Sequence, residues 1–151
     1  MLVKPSLPAV LHVARHMREI DRREVFSLRW TDSEEALAED LMRIGGPAWI
    51  ATAKDREPVY AFGLAPHRPG VWTVWGFGTD RWPEVMAPVT RFIKRVLLPA
   101  MLIDNAHRVD CVSLLDKVAG HRWLEYLGAE RESLLKEYGR NREDYFMYVW
   151  R

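Results

Sequence analysis

Three charged residues, Arg18, Asp21 and Glu24, follow one another at intervals of three. On a helix this spacing places them along one side, where opposite charges can pair. Such a side can hold the polar end of a substrate, and it is equally typical of a solvated, salt-bridged helix surface. Both interpretations stay open at the level of the sequence.

The elements that must position these residues can be predicted from hydrophobic periodicity. One helical stretch covers Val10–Met17, and a second helix begins at Thr31, where Glu34 completes a capping box. The period then changes from 3.6 to 2. Three strands of an antiparallel meander follow at Trp49–Ala53, Val59–Leu64 and Val71–Gly76.

The second half of the chain alternates helices and strands. A helical run from Pro83 to about Asn105 contains Pro88 and Pro99, which should shorten or kink it. Val109–Leu114 is too apolar to have a solvated face, as expected of a strand at the centre of a sheet. A closing helix with Val118, Trp123 and Leu127 on its apolar side precedes two final strands, the last at residues 144–150. The predicted class is α+β, with a mixed, mainly antiparallel sheet and helices on both faces.

Composition limits the function classes. A chain of 151 residues with a net charge of +1 suits a single domain and lacks the basic surface of a nucleic-acid binder. The single cysteine, Cys111, lies in an apolar run and is interpreted as a buried hydrophobe. No stretch suggests a membrane span or a signal peptide, so we expect a cytoplasmic protein without nucleic-acid or membrane partners.

Four segments of the sequence match a known family: Met17-Arg18 with Asp21 and Glu24, Pro58–Gly63, Val74–Asp80 and Arg122–Gly128. Together they resemble the GNAT (N-acetyltransferase) superfamily over essentially the whole chain. The local matches look closest to small GNAT-like proteins encoded by tailed bacteriophages, some labelled acetyltransferases and others internal virion proteins. The resemblance implies acetyl transfer from acetyl-CoA to a small-molecule or protein amine. The alternative is a non-catalytic protein that binds phage virion proteins, in the host cytoplasm or in the virion.

The resemblance also implies a set of site residues. Arg18, Asp21 and Glu24 would face the acceptor, and Asp80 and Tyr126 are the catalytic candidates. Deprotonation of the acceptor amine requires a base such as a carboxylate. The available carboxylates are Asp80 and Asp110, the latter on a central strand. Thr79 or Asp80 could instead cap the following helix. The implied cofactor-binding residues are Gly76, Phe77, Gly78, Thr79 and Arg81.

The same comparison exposes departures from an active enzyme. The family holds the cofactor pyrophosphate on a Gln/Arg-x-x-Gly-x-Gly/Ala loop, whose bare amides precede a helix. In this sequence the corresponding loop contains Asp80, Trp82 and Pro83 instead. Arg81 could still supply a positive charge for the phosphates. The tyrosine that many members use as general acid is replaced by Leu124. We therefore expect acetyl-CoA to bind weakly or not at all.

The remaining chemistry-bearing residues have structural interpretations. His12 and His16 lie four apart and could share a metal, but no further ligand follows at a recognisable spacing. They are interpreted as helix-surface histidines, and no metal is assigned. Trp72 and Trp75 should lie on opposite faces of one strand, and Trp123 should belong to the core.

Overall fold

The computed structural model describes residues 1–104 and 106–151. It contains one seven-stranded sheet in the order β1-β2-β3-β4-β5-β7-β6, in which only the β4–β5 pair is parallel. The predicted α+β class, the meander and the central place of the strand at Val109–Leu114 are confirmed. The strands are β1 (Leu2–Val3), β2 (Ala48–Thr52), β3 (Pro58–Arg68), β4 (Gly70–Gly78), β5 (Ala106–Leu114), β6 (Glu130–Leu135) and β7 (Tyr145–Trp150).

Helices cover both faces of this sheet. As predicted, Trp72 and Trp75 of β4 lie on opposite faces of the sheet. Trp72 packs beside the larger core cluster and Trp75 beside the smaller one. The helices α1 to α3 pack against the face that carries Trp75, and α4 to α6 against the other. Their bounds are α1 (Leu7–Arg15), α2 (Glu19–Phe26), α3 (Glu34–Arg43), α4 (Met86–Phe92), α5 (Leu98–Asp104) and α6 (Val118–Tyr126).

The capping box predicted at Thr31 is wrong. Helix α3 begins at Glu34, and its N-cap is Ser33, whose hydroxyl accepts a hydrogen bond from the Ala36 amide at 3.1 Å. The Thr31 hydroxyl instead accepts from the Ser33 amide and shapes the preceding turn. Two hydroxyl residues stand close to this helix start, and the one in extended backbone geometry is the cap.

The single helix predicted from Pro83 is divided. A 3-10 turn at Trp82–Glu84 precedes α4, and a π-helical segment, Ile93–Leu97, separates α4 from α5. Pro99 lacks the amide that would bond to the preceding turn, and the wider π turn lies directly before it. The predicted end near Asn105 lies outside the described residues.

Helix α6 begins at Val118, directly after Lys117 at its N-cap position, and its apolar side is narrower than predicted. Val118 is 54 % exposed, so its assignment to that side is wrong, whereas Leu127 is buried and Trp123 is half-buried against the core. In the described part of the chain no helix combines the length and the apolar character needed to cross a lipid bilayer.

Candidate functional site

A gap opens between the two parallel strands of the sheet. Residues Gly70–Thr73 of β4 pair with β5, the last pair being Thr73 and Asp110, and beyond this point the two strands diverge. A cavity of about 720 Å³ lies at the gap. It is lined from both faces of the sheet, by Trp75 and Leu37 on one side and Phe62 on the other. This volume lies in the range of small-molecule sites.

The wide end of the gap is occupied by charged side chains. Asp21 is fully buried, and its Oδ2 accepts a hydrogen bond from the backbone N–H of Gly78, the last residue of β4, at 2.8 Å. Glu24 Oε2 accepts from the backbone N–H of Leu114, the last residue of β5, at 3.0 Å. Two carboxylates of helix α2 therefore bond to the amides at which the diverging strands end.

Two cations neutralise these carboxylates. Lys117 Nζ lies 3.0 Å from Asp21 Oδ1 and 2.8 Å from Glu24 Oε1. Arg18 contacts both oxygens of Asp21 through two nitrogens, the shortest distance being 2.8 Å. Burial lowers the pKa of Lys117, but the facing charges of Glu24 and Asp21 outweigh it and raise that pKa above the ordinary value. We call Arg18, Asp21, Glu24 and Lys117 the ion cluster.

The predicted substrate-binding residues are thus brought together, but in a way that the sequence did not indicate. Asp21 and Glu24 bond to backbone amides and to Lys117, and the Arg18 guanidinium pairs with Asp21, so none of the three presents a free charge to the cavity. Lys117 was missed because it lies 93 residues from Glu24 in sequence. A lysine before a helix, with no alternation or motif around it, carries no signal of such a contact.

The two glycines assigned to the pyrophosphate have a packing role. Gly76 and Gly78 lie within β4, and the ring of Tyr60 from neighbouring β3 covers both. A Cβ at Gly76 would meet the Tyr60 hydroxyl oxygen at 2.4 Å, and one at Gly78 would meet a ring carbon at 2.6 Å. Burial raises the pKa of this Tyr60 hydroxyl well above its ordinary value.

Three aromatic rings fill the space between this part of β4 and helix α6. Trp82 lies 4.2 Å from Tyr60 and 5.4 Å from Trp123, measured between ring centroids. The indole Nε1 of Trp123 donates to the Thr90 hydroxyl at 2.8 Å and so connects α6 to α4. We call Tyr60, Trp82 and Trp123 the aromatic cluster.

The loop after β4 uses most of its own amides. The N–H groups of Thr79, Trp82, Glu84 and Val85 donate to backbone carbonyls at 2.9–3.0 Å. The Arg81 amide donates to the Thr79 hydroxyl at 3.2 Å, and Pro83, between Trp82 and Glu84, has no N–H. Neither the 3-10 turn nor α4 has a side-chain N-cap, so the expectation that Thr79 or Asp80 caps the following helix is wrong, and the Thr79 hydroxyl instead shapes the turn before it.

The Arg81 side chain is held by acidic neighbours. Its guanidinium bonds to Glu84 at 2.7 Å, to Asp55 at 2.9 Å and also to Glu57. These bonds raise the pKa of Arg81 above its ordinary value. Three carboxylates around one cation leave the loop locally acidic, so Arg81 does not offer an anion a free positive charge.

The two proposed catalytic residues lie away from the cavity. Asp80 is exposed beside the loop, and Tyr126 is 62 % exposed, with the Lys94 ammonium 4.0 Å from its ring centroid. Asp110 accepts a hydrogen bond from Thr73 and pairs with Arg108. None of these three carries a contact that identifies it as the base or acid of a reaction.

The other candidates have local partners. His16 Nδ1 lies 2.8 Å from the His12 carbonyl oxygen, and His12 Nε2 lies 3.5 Å from Glu57. Cys111 is buried, as predicted, and burial raises the pKa of its thiol well above the ordinary value. Within residues 1–104 and 106–151 no three metal-ligating side chains converge.

These observations test whether the residues present fit acetyl-CoA. A pyrophosphate needs several free amides and positively charged surroundings. Here most of the loop amides are already hydrogen-bonded, and the nearest guanidinium is surrounded by carboxylates. The aromatic cluster covers the end of β4 on one face. The residues of this chain therefore do not fit the cofactor.

No family model matches the sequence, and no curated protein matches it. Many solved structures share the fold. The protein smu.2055 from Streptococcus mutans superposes with a TM-score of 0.74 at 12 % identity, covering 99 % of this chain and 98 % of that one.

Two further neighbours carry names that state an activity. Ribosomal-protein-alanine N-acetyltransferase from Brucella melitensis gives a TM-score of 0.69 at 15 % identity, with 99 % and 98 % of the two chains covered. A variant of spermidine N-acetyltransferase from Vibrio cholerae gives 0.71 at 10 % identity, with 99 % and 93 % covered. Identities this low establish the fold alone, so the chain has the GNAT fold.

Proposed function

We propose that this protein is a non-catalytic binding protein on the GNAT fold and that it does not use acetyl-CoA. The observation that carries the proposal is the state of the loop after β4. Five of its N–H groups, those of Thr79, Arg81, Trp82, Glu84 and Val85, bond within the protein, and Pro83 has none. Pyrophosphate binding would require these bonds to break, at a cost for each amide.

The ion cluster supports the same proposal at the gap in the sheet. A ligand lying between diverging strands gains most by pairing with their free backbone groups. Here the end amides of both strands already bond to Asp21 and Glu24, and Lys117 neutralises the two carboxylates. Displacing these carboxylates would leave buried charges without their partners, which is strongly unfavourable.

Acetyl transfer to an amine is the second candidate. It is favoured by the shared fold with named acetyltransferases and by the cavity at the point where β4 and β5 diverge. Against it stand Leu124 at the place of the family's general acid and the exposed position of Asp80 and Tyr126. Fold alone does not determine activity.

The phage resemblance extends the proposal to a partner. A non-catalytic member of that branch would bind other virion proteins, and the exposed Trp30 marks a surface on which to test it. Co-sedimentation of the tagged protein with purified phage particles would support this assignment. Recovery of the protein only from the soluble host fraction would contradict it.

Calorimetric titration with acetyl-CoA separates the two functions without knowledge of the acceptor. We expect no saturable heat, corresponding to a dissociation constant weaker than about 1 mM. The spermidine N-acetyltransferase of Vibrio cholerae, titrated in the same buffer, is the positive control. A dissociation constant in the low-micromolar range, about −8 kcal/mol, would contradict the proposal.

One substitution sharpens this titration. Asp80→Gly removes a negative charge from the loop but frees none of the bonded amides. We expect the variant to show no more heat than the parent protein. A clear gain in acetyl-CoA affinity would mean that charge, rather than the used amides, prevents binding.

A further inference from the structure

A buried hydroxyl group faces the cavity at the sheet gap. Tyr60 lines this cavity and is only 6 % exposed. Its ring crosses β4, because a Cβ on Gly78 would collide with a ring carbon and a Cβ on Gly76 with the hydroxyl oxygen. Gly76 belongs to the part of β4 that lies beyond the last pair with β5. The Tyr60 hydroxyl therefore lies beside the gap.

This hydroxyl has no hydrogen-bond partner among residues 1–104 and 106–151. In the same part of the chain, Trp75 Nε1 is the only fully enclosed side-chain N or O atom without a partner. The Tyr60 oxygen also lacks a partner there, so it retains contact with open space, and the cavity is the space that this residue lines. Native proteins usually satisfy buried hydroxyl groups. The Tyr60 hydroxyl is therefore a group that a ligand in the cavity can satisfy.

The start of helix α6 opens on the same cavity. All five residues 116–120 line it, as expected where the end of a helix faces the space. The Val118 N–H donates to the Asp116 carbonyl, and the helical bonds begin with the His121 N–H. Within the described residues the N–H groups of Ala119 and Gly120 have no acceptor, and the first turn of α6 contains no acidic side chain. Such a helix start favours a negatively charged acceptor.

Lys117 connects the hydroxyl to the helix start. It occupies the N-cap position of α6 and lines the cavity. Burial raises the pKa of Tyr60, and Lys117 is the charged group that most opposes this rise, as expected if the ammonium lies close to the hydroxyl. The ion cluster contains two cations and two carboxylates, so its charges balance. A ligand with one negative charge can therefore bind to the free donors without separating an ion pair.

We propose that the cavity binds a small monocarboxylic acid with an apolar chain, and that its carboxylate is held by the Tyr60 hydroxyl and the start of α6. The inference rests on the proposed non-catalytic binding function and adds the chemical class of the ligand. The free groups at this end of the cavity can donate, and carboxylate oxygens accept. Phe62, Leu124 and Leu127 in the lining supply the surface that an apolar chain covers.

The test compares octanoate with octanamide, which has the same chain and nearly the same shape but no charge. In calorimetric titration of the parent protein, octanoate should bind once per chain and at least tenfold more tightly than octanamide. The reason is that hydrogen bonds to a charged acceptor are the stronger ones. Absence of saturable octanoate binding would overturn the inference. Equal affinity for the two probes would also overturn it, because the site would then not select a carboxylate.

The variant Tyr60→Phe isolates the hydroxyl group. It keeps the ring that packs on Trp82 and removes no hydrogen bond within the protein, so the melting temperature should stay close to that of the parent. Octanoate affinity should fall about tenfold, and octanamide affinity should fall less. Tyr138→Phe, at an exposed tyrosine outside the cavity lining, is the matched control and should change neither. Unchanged octanoate affinity in Tyr60→Phe would overturn the inference.

The variant Ala119→Pro tests the start of α6. It removes one free N–H group at the second position of the helix, where proline is tolerated, as Pro8 shows at the second position of α1. Octanoate affinity should fall about threefold to tenfold, and an unchanged affinity would overturn the inference. If the proline disturbs the fold, the Tyr60→Phe titration alone decides. Failure of the proposed function is seen separately, as saturable acetyl-CoA binding in calorimetry.

Discussion

The carboxylate of Asp21 accepts a hydrogen bond from the backbone N–H of Gly78 at 2.8 Å, across 57 residues of sequence. In return, the Arg18 amide, three residues before Asp21, donates to the Gly78 carbonyl at 2.9 Å. The start of α2 is therefore bonded to both backbone groups of the residue that ends β4. This contact fixes the wide end of the sheet gap, and with it the shape of the cavity.

Asp21→Ala should be among the most destabilising single substitutions. It leaves the Gly78 amide without its acceptor and removes one of the two carboxylates that neutralise buried Lys117. Breaking a buried charged contact from one side costs about 3–5 kcal/mol. Chemical denaturation should report this loss. Asp21→Asn, which keeps an acceptor for the amide, should lose less.

The matched control for Asp21 is Glu35→Gln. Glu35 also pairs with an arginine, Arg15, at 2.7 Å, but both side chains are exposed. Exposed pairs contribute little, so the denaturation midpoint should stay unchanged. A similar loss in both variants would show that burial of the ion cluster is not what stabilises the gap.

Gly76→Ala should destabilise the folded protein through one contact, that of the new methyl group with Tyr60. The added methyl group would meet the Tyr60 hydroxyl oxygen at 2.4 Å, and overpacking of this kind costs about 1–3 kcal/mol. In a Tyr60→Phe background the same substitution should cost less, because the clashing oxygen is gone. A double-mutant cycle measures this coupling, and additive effects would refute the contact.

Trp123→Ala should lower stability by about 3 kcal/mol, the lower end of the range for a buried tryptophan, because the side chain is only half-buried. It removes the packing on Trp82 and the bond to Thr90. Trp30→Ala, at a tryptophan that is 99 % exposed, is the control and should melt like the parent. If the parent protein, Trp123→Ala and Trp30→Ala all had the same melting temperature, Trp123 would serve recognition rather than core packing.

Stability should fall at alkaline pH. Burial raises the pKa values of the Cys111 thiol and the Tyr60 hydroxyl above the ordinary values of 9.0 and 10.0. A group whose pKa is higher in the folded than in the unfolded protein makes its full contribution to the free energy of unfolding below the unfolded pKa. That contribution declines as the pH rises from the unfolded to the folded pKa. Melting temperatures should therefore decrease from about pH 8 to about pH 11. Cys111→Ala should show a shallower decrease, and an identical slope would exclude the thiol as a cause.

The sequence by itself determined the order and type of the elements. The change of hydrophobic period at Trp49 predicts the meander, and the apolar run at Val109–Leu114 predicts a central strand. Both signals are local, because alternation along one strand records which faces are buried. Helix starts were less well determined, as Ser33 shows, because neighbouring hydroxyl residues compete for one capping position.

The tertiary structure decided what the site residues do. Arg18, Asp21 and Glu24 were visible as a charged row. However, the hydrogen bonds of Asp21 and Glu24 to strand amides and their ion pairs with Lys117 depend on contacts across 57 to 93 residues. Gly76 and Gly78 suggested a phosphate loop, whereas the ring of Tyr60 gives them a packing role. Charge pairing, amide satisfaction and cavity shape depend on distances between elements, and the period of a single segment contains no information on those distances.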